Sequence, residues 1–122
     1  MGKIKENGLR EDRIMNEIIV DAYDSEERMT GWRTYLDDAL TFPFKAKCVK
    51  EIIISPLTKN EKITALRMID ENPYENSMFV IIEWQNRQLG VPLEQIMPIS
   101  SDEETLEAVE DWRYWVERGY KF

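Results

Sequence analysis

Apolar residues recur at helical spacing twice near the start of the chain and once near its end, and at roughly alternate positions in between. From Arg10 to Tyr23, the residues Ile14, Ile18, Ile19 and Ala22 predict an amphipathic helix. Glu11 and Asp12 open it, at the end where the helix dipole favours acids. The run Ile18-Ile19-Val20 also fits a strand, which is the alternative there. A second helix begins at Asp24, with Glu27 three residues on as in a capping box and Ser25 as the alternative cap. It carries Met29, Trp32, Leu36 and Leu40 and stops before Pro43, whose ring cannot continue a helix. Gly31 in its middle costs about 1 kcal/mol relative to Ala. That cost implies close packing at Gly31 or a break between two shorter helices.

Beyond Pro43 the period shortens to about two. Phe44, Ala46 and Cys48 alternate with lysines, and Ile52 to Ile54 lead to Ser55-Pro56, so one long bent strand or two short ones are expected over Phe44 to Ser55. TKNEK is a turn and Ile63 to Met68 the next strand. DENPYENS, Asp70 to Ser77, is a loop by composition, and Met78 to Trp84 is the clearest strand. Gln85 to Gln88 closes a hairpin into Leu89 to Val91, after which Pro92 allows only an edge or a short turn before a brief segment at Ile99. The last helix opens with Ser101 and Glu104 as a capping box. Its apolar face is Leu106, Val109 and Val116 with Trp112 or Trp115, and Gly119 after Arg118 is its stop. Short strands joined by tight turns predict an α+β fold, a small antiparallel SH3-like barrel flanked by N-terminal helices and a C-terminal helix.

The length, 122 residues, is that of one domain, expected to span 1–122 with residues 1–9 flexible. The net charge of -8 argues against nucleic acid and membrane surfaces as partners and for cations or basic proteins. Histidine is absent, which removes the commonest general base and the commonest zinc ligand together. The one cysteine, Cys48, has no partner for a disulfide and sits where a buried strand thiol belongs. No apolar leader opens the chain and no apolar run reaches the roughly 18 residues of a membrane span, so a cytoplasmic soluble protein is expected; a monomer is the expectation for its oligomeric state. Neither a P-loop, a Gly-rich dinucleotide turn nor G-x-S-x-G is present, and no enzyme activity is expected.

Candidate chemistry lies in the acids. Asp37 and Asp38 fall in the last turn of the second helix, where unpaired carbonyls and the dipole disfavour carboxylates by roughly 0.3–1 kcal/mol. Carboxylates beside free carbonyl oxygens are the ligand set that Ca²⁺ takes. A solvated acidic helix end is the plainer alternative. The EF-hand frame fails at Asp21 and Asp70, which lack Gly at position 6 and Glu at position 12. The loop DENPYENS offers hard oxygen donors that include Glu71 and Glu75, and a polar loop tip has the same composition without any ion. In the last helix, Glu110 and Asp111 lie beyond the first turn, where the dipole no longer accounts for acids.

The strings NEIIVDAYDSEERMTGW, YLDDALTFPFKAKC, SPL, MFVIIEWQNRQLGVPLEQI and EAVEDWRYWVERGY resemble the CcbP-type calcium-binding proteins first described in cyanobacteria, over about Arg10 to Tyr120. The resemblance implies a cytoplasmic Ca²⁺ buffer or sensor without EF-hands. It matches Asp37 and Asp38 to an acidic pair before LxFPF, Glu71 and Glu75 to an acid-rich loop before MFV, and Glu110 and Asp111 to an acidic dipeptide before WxYW. The loop of this chain is less acidic, because Asn72, Pro73 and Ser77 dilute it. The rival reading is an SH3-like module that binds a basic or Pro-rich segment, and a carboxylate enzyme comes third.

Overall fold

Five antiparallel strands form one sheet in the order β4-β3-β2-β1-β5: β1 is Phe44–Cys48, β2 Lys62–Met68, β3 Phe79–Trp84, β4 Arg87–Pro92 and β5 Ile96–Ser100. The computed structural model describes residues 8–19, 24–69 and 78–118. Helix α1, Gly8–Arg13, runs on into a π-helical turn at Ile14–Ile18; α2 is Ser25–Ala39 and α3 is Glu103–Glu117. Ile18 is thus helical rather than strand. The DENPYENS loop and the Gly119 stop lie outside the described residues.

Alternation along the strands puts Phe44, Ala46, Cys48, Ile63, Ala65, Val80, Ile82 and Val91 into one core with Trp32, Leu36, Ala108, Val109 and Trp112 of α2 and α3. The helices therefore cover one face of the sheet. Edge-on ring contacts of Trp32 with Trp112 (5.1 Å between centroids) and with Tyr35 (6.0 Å) knit the helical layer. Among the described residues no helix is long and apolar enough to cross a membrane.

The fold class is α+β as expected, but the sheet is open. Its edges, β4 and β5, do not pair with one another. The apolar face that closure would bury is already covered by α2 and α3, so the sheet has no need to curl onto itself. A 3₁₀ turn, Leu93–Gln95, carries the chain from β4 to β5, and Trp112 Nε1 donates to Glu94 Oε1 at 3.0 Å, fixing that turn to α3.

Two local expectations change. The strand expected over Phe44 to Ser55 stops at Cys48: Val49 N–H donates to Gln95 O, and Ser55 N–H turns back to Ile52 O. Ile53 and Ile54 are left at 102% and 58% exposure, so the β-branched run is a projecting turn. Propensity there is overridden by the turn that Leu57, 2% exposed, anchors in the core. At α3, Asp102 replaces Ser101 as the cap, its carboxylate accepting from Thr105 N–H at 2.7 Å, while Ser101 Oγ donates to the Asp102 carbonyl. At α2 the expected cap holds, with Asp24 Oδ1 accepting from Glu27 N–H. The hairpin turn is the pair Gln85 and Asn86, both at positive φ, which matches the twist of the flanking strands.

Gly31 marks a crossing rather than a break. A Cβ there would stand 2.5 Å from the Ile18 carbonyl oxygen, so only glycine lets α2 approach the π-helical turn so closely.

Candidate metal centre

Helix α2 ends with acceptors that lack their helical donors. In an α-helix each carbonyl accepts from the N–H four residues on. Leu40 N–H still closes on Leu36 O, but Thr41 N–H, the donor due to Asp37 O, goes to Thr105 Oγ1 at 2.9 Å. Pro43, due to Ala39 O, has no N–H to give. No basic residue stands in this last turn to offset the dipole. The two acids therefore sit beside carbonyl oxygens that have lost their helical partners.

Asp38 is exposed and lines a cavity of about 390 Å³ with Glu17 of the π-helical turn, Glu104 of α3, and Thr34 and Tyr35. Three elements thus bring three carboxylates to one cavity, and none of the three takes part in an ion pair. They line it without converging: among the described residues no three acids form a closed metal-ligand cluster. Asp37 faces elsewhere in its interactions, accepting from Arg33 Nε at 3.2 Å in an i,i+4 pair that is half exposed and worth little.

The acids of α3 divide. Asp111 is fully buried, its Oδ1 taken by Arg10 (2.7 Å) and Arg13 and its Oδ2 by the Tyr35 hydroxyl at 2.7 Å. Both oxygens are occupied by protein donors. Glu110, 42% exposed at its side chain, lies 3.6 Å from Arg10 Nη2. Burial, then the Asp111 hydrogen bond, pushes the Tyr35 pKa well above the ordinary tyrosine value. Burial works against the charge of Arg13, but the hydrogen bond and charge of Asp111 outweigh it and raise its pKa. Since Tyr35 also lines the cavity, Asp111 holds one of its walls in place. Glu71 and Glu75 lie outside the described residues.

The CcbP family profile, described as calcium binding, matches residues 12–116. The chain belongs to the CcbP calcium-binding family. The crystal structure of Anabaena CcbP is 38% identical, with a TM-score of 0.86 and all of both chains covered. A calcium-binding protein solved in its calcium-binding form is 37% identical, with a TM-score of 0.83 and again full coverage of both. No curated protein matches the chain.

For this CcbP-family chain the metal is Ca²⁺, and the donors at the end of α2 suit it in kind. Ca²⁺ takes six to eight oxygens from carboxylates, carbonyls and water in flexible geometry, and Asp38, Glu17, Glu104 and the last carbonyls of α2 are all oxygen donors. Glu17 and Glu104 are the residues that sequence reasoning did not select. Glu104 looks like half of a capping box, and Glu17 like any acid on a polar helix face. Gly31 was the available sign, because it marks where the first helix crosses α2, one residue from Glu17.

Proposed function

We propose that this chain is a Ca²⁺ buffer or sensor whose principal site lies at the C-terminal end of α2, with Asp38 as its central ligand and Asp37, Glu17 and Glu104 beside it. The observation that carries this reading is the cavity lined by three carboxylates from three elements, none neutralised by a cationic side chain. A divalent cation would relieve both their mutual repulsion and the unfavourable dipole at that helix end. Small rearrangements that draw the three acids inward, with carbonyls and waters completing the shell, supply the coordination number Ca²⁺ needs. Glu71 and Glu75 remain proposed ligands on their sequence pattern alone. In this proposal Glu110 stays peripheral and Asp111 positions Tyr35 instead of holding the ion.

Two or three charged ligands without a dedicated loop place the affinity on the order of 10⁻⁶ to 10⁻⁴ M. Titration calorimetry with Ca²⁺ and separately with Mg²⁺ tests the reading. Ca²⁺ should bind clearly better, because Mg²⁺ demands a tight octahedron and gives up water reluctantly. Equal weak heats from both ions would mean that the -8 net charge attracts counterions without a site.

A further inference from the structure

All five lysines of the described residues, Lys45, Lys47, Lys50, Lys59 and Lys62, lie on β1, at the start of β2 and in the turn between them. Every ion pair among the described residues is made by an arginine instead, and no lysine is paired with a carboxylate. Lys47 and Lys62 stand directly opposite one another on adjacent strands. Like charges in that position are destabilising. Lys45, next on the same face, finds only the Thr64 hydroxyl, at 3.2 Å. Of the nearby acids, Glu61 accepts from Thr58 N–H and from Trp84 Nε1 and Glu51 accepts from Lys59 N–H, while exposed Glu83, opposite Thr64 on β3, sets one negative charge beside the five lysines.

Beside these lysines projects the turn bearing Ile53 and Ile54, with no apolar partner for the fully exposed Ile53. On the same outer face Ile99, 46% exposed, occupies the bulge next to Lys45. The acidic cavity belongs to the opposite, helical layer. Charge is screened over roughly 8 Å at physiological salt, so a partner seated on the sheet face meets the lysines there more strongly than the acids of the helical layer behind it.

We propose that the outer face of β1 and β2, with the Ile53–Ile54 turn, seats on a membrane surface rich in anionic lipid headgroups. Charge complementarity requires an anionic partner, and the form of the surface favours lipid over an acidic protein. Ammonium groups on flexible stems suit an array of headgroups with no fixed geometry, and the arginine of β2, Arg67, is turned along the sheet to Gln88 Oε1 at 3.2 Å. An exposed apolar tip on a connection that also carries Lys50 and Lys59 can enter the headgroup boundary while the ammonium groups stay in it.

The test is sedimentation of the full chain with vesicles of phosphatidylcholine alone and of phosphatidylcholine containing about one third phosphatidylserine, near 0.15 M salt. Binding to the anionic vesicles only is expected. Replacing Lys45, Lys47 and Lys62 by Gln should lower the partition coefficient roughly a hundredfold, each lysine near such a surface contributing a factor of about five. The double variant Ile53→Ser/Ile54→Ser should lower it about tenfold or more. All four positions other than Lys47 are exposed, so the isoleucine variant should melt like the parent and the lysine variant at or slightly above it, the Lys47–Lys62 repulsion being relieved. Equal binding to neutral vesicles, no sedimentation with either composition, or unchanged binding by both variants would overturn the proposal. So would capture of soluble polyglutamate, lost in the lysine variant, by a chain that ignores the anionic vesicles, which would assign the face to an acidic protein.

Discussion

Tyr35 donates its phenolic hydrogen to Asp111 Oδ2 at 2.7 Å, joining α2 to α3 across 76 positions of sequence. The same carboxylate takes Arg10 and Arg13 through its other oxygen, so one buried acid ties all three helices together. Tyr35 in turn is a wall of the acidic cavity. Helical packing and the proposed metal centre are therefore linked through the Asp111 side chain.

Asp111→Asn should be costly. It leaves two guanidinium groups against a neutral amide, and breaking a buried pair on one side typically costs 3–5 kcal/mol. The arginine side chains keep about a fifth to a quarter of their surface in water, 21% and 26%. A loss near the lower end, about 3 kcal/mol or roughly 10 °C in melting midpoint, is expected. Thermal denaturation checks it. A midpoint within a degree or two of the parent would show that the arginines are satisfied elsewhere.

Gly31→Ala sets two effects against each other. Alanine gains about 1 kcal/mol of helix propensity. Its methyl would also stand 2.5 Å from a main-chain oxygen that cannot swing aside like a side chain, and such overpacking costs about 1–3 kcal/mol. Net destabilisation is expected in urea denaturation. Because the displaced residue, Ile18, adjoins Glu17, weaker Ca²⁺ binding should accompany it. A more stable variant with parental affinity would contradict the close crossing.

The raised pKa of Tyr35 gives a pH signature. The unfolded chain loses this proton near pH 10 and the folded chain only above that. The contribution is thus fully present below about pH 10 and is lost as pH rises through the folded value. Tyr35→Phe should be less stable than the parent at pH 8, by about 1–2 kcal/mol for the lost charged hydrogen bond. The gap should narrow near pH 11. Urea denaturation at both pH values measures it, and a constant gap would show that the hydroxyl does not titrate as described.

What was legible in the sequence was whatever rests on local periodicity. The alternation Phe44, Ala46, Cys48 gives β1 its buried face, and Trp32 and Leu36 give α2 its own. Ile52 to Ile54 misled because β-branched residues read as strand whether buried or not, and their exposure is decided by Leu57 and Gln95 from outside the run. Closure of the sheet was likewise undecidable locally, since it turns on whether α2 and α3 cover the inner face. At the proposed site, Asp37 and Asp38 were visible because acids at a helix C-terminus break a local rule. Glu17 and Glu104 break none, and join Asp38 only through tertiary packing. Asp111 shows the reverse, an acid beyond the reach of the dipole whose reason is a pair of arginines from α1.

The most direct measurement is calorimetric Ca²⁺ titration of the parent chain and of Asp37→Asn/Asp38→Asn at about 0.15 M salt, where diffuse attraction by the net charge is already screened. The double substitution keeps shape and removes charge, and both side chains are exposed, so the apo variant should melt at or slightly above the parent midpoint. The tightest Ca²⁺ site should disappear in this folded variant, and with it the several-degree rise in melting midpoint expected of the parent at saturating Ca²⁺. Parental Ca²⁺ affinity in the double variant would contradict the proposed site.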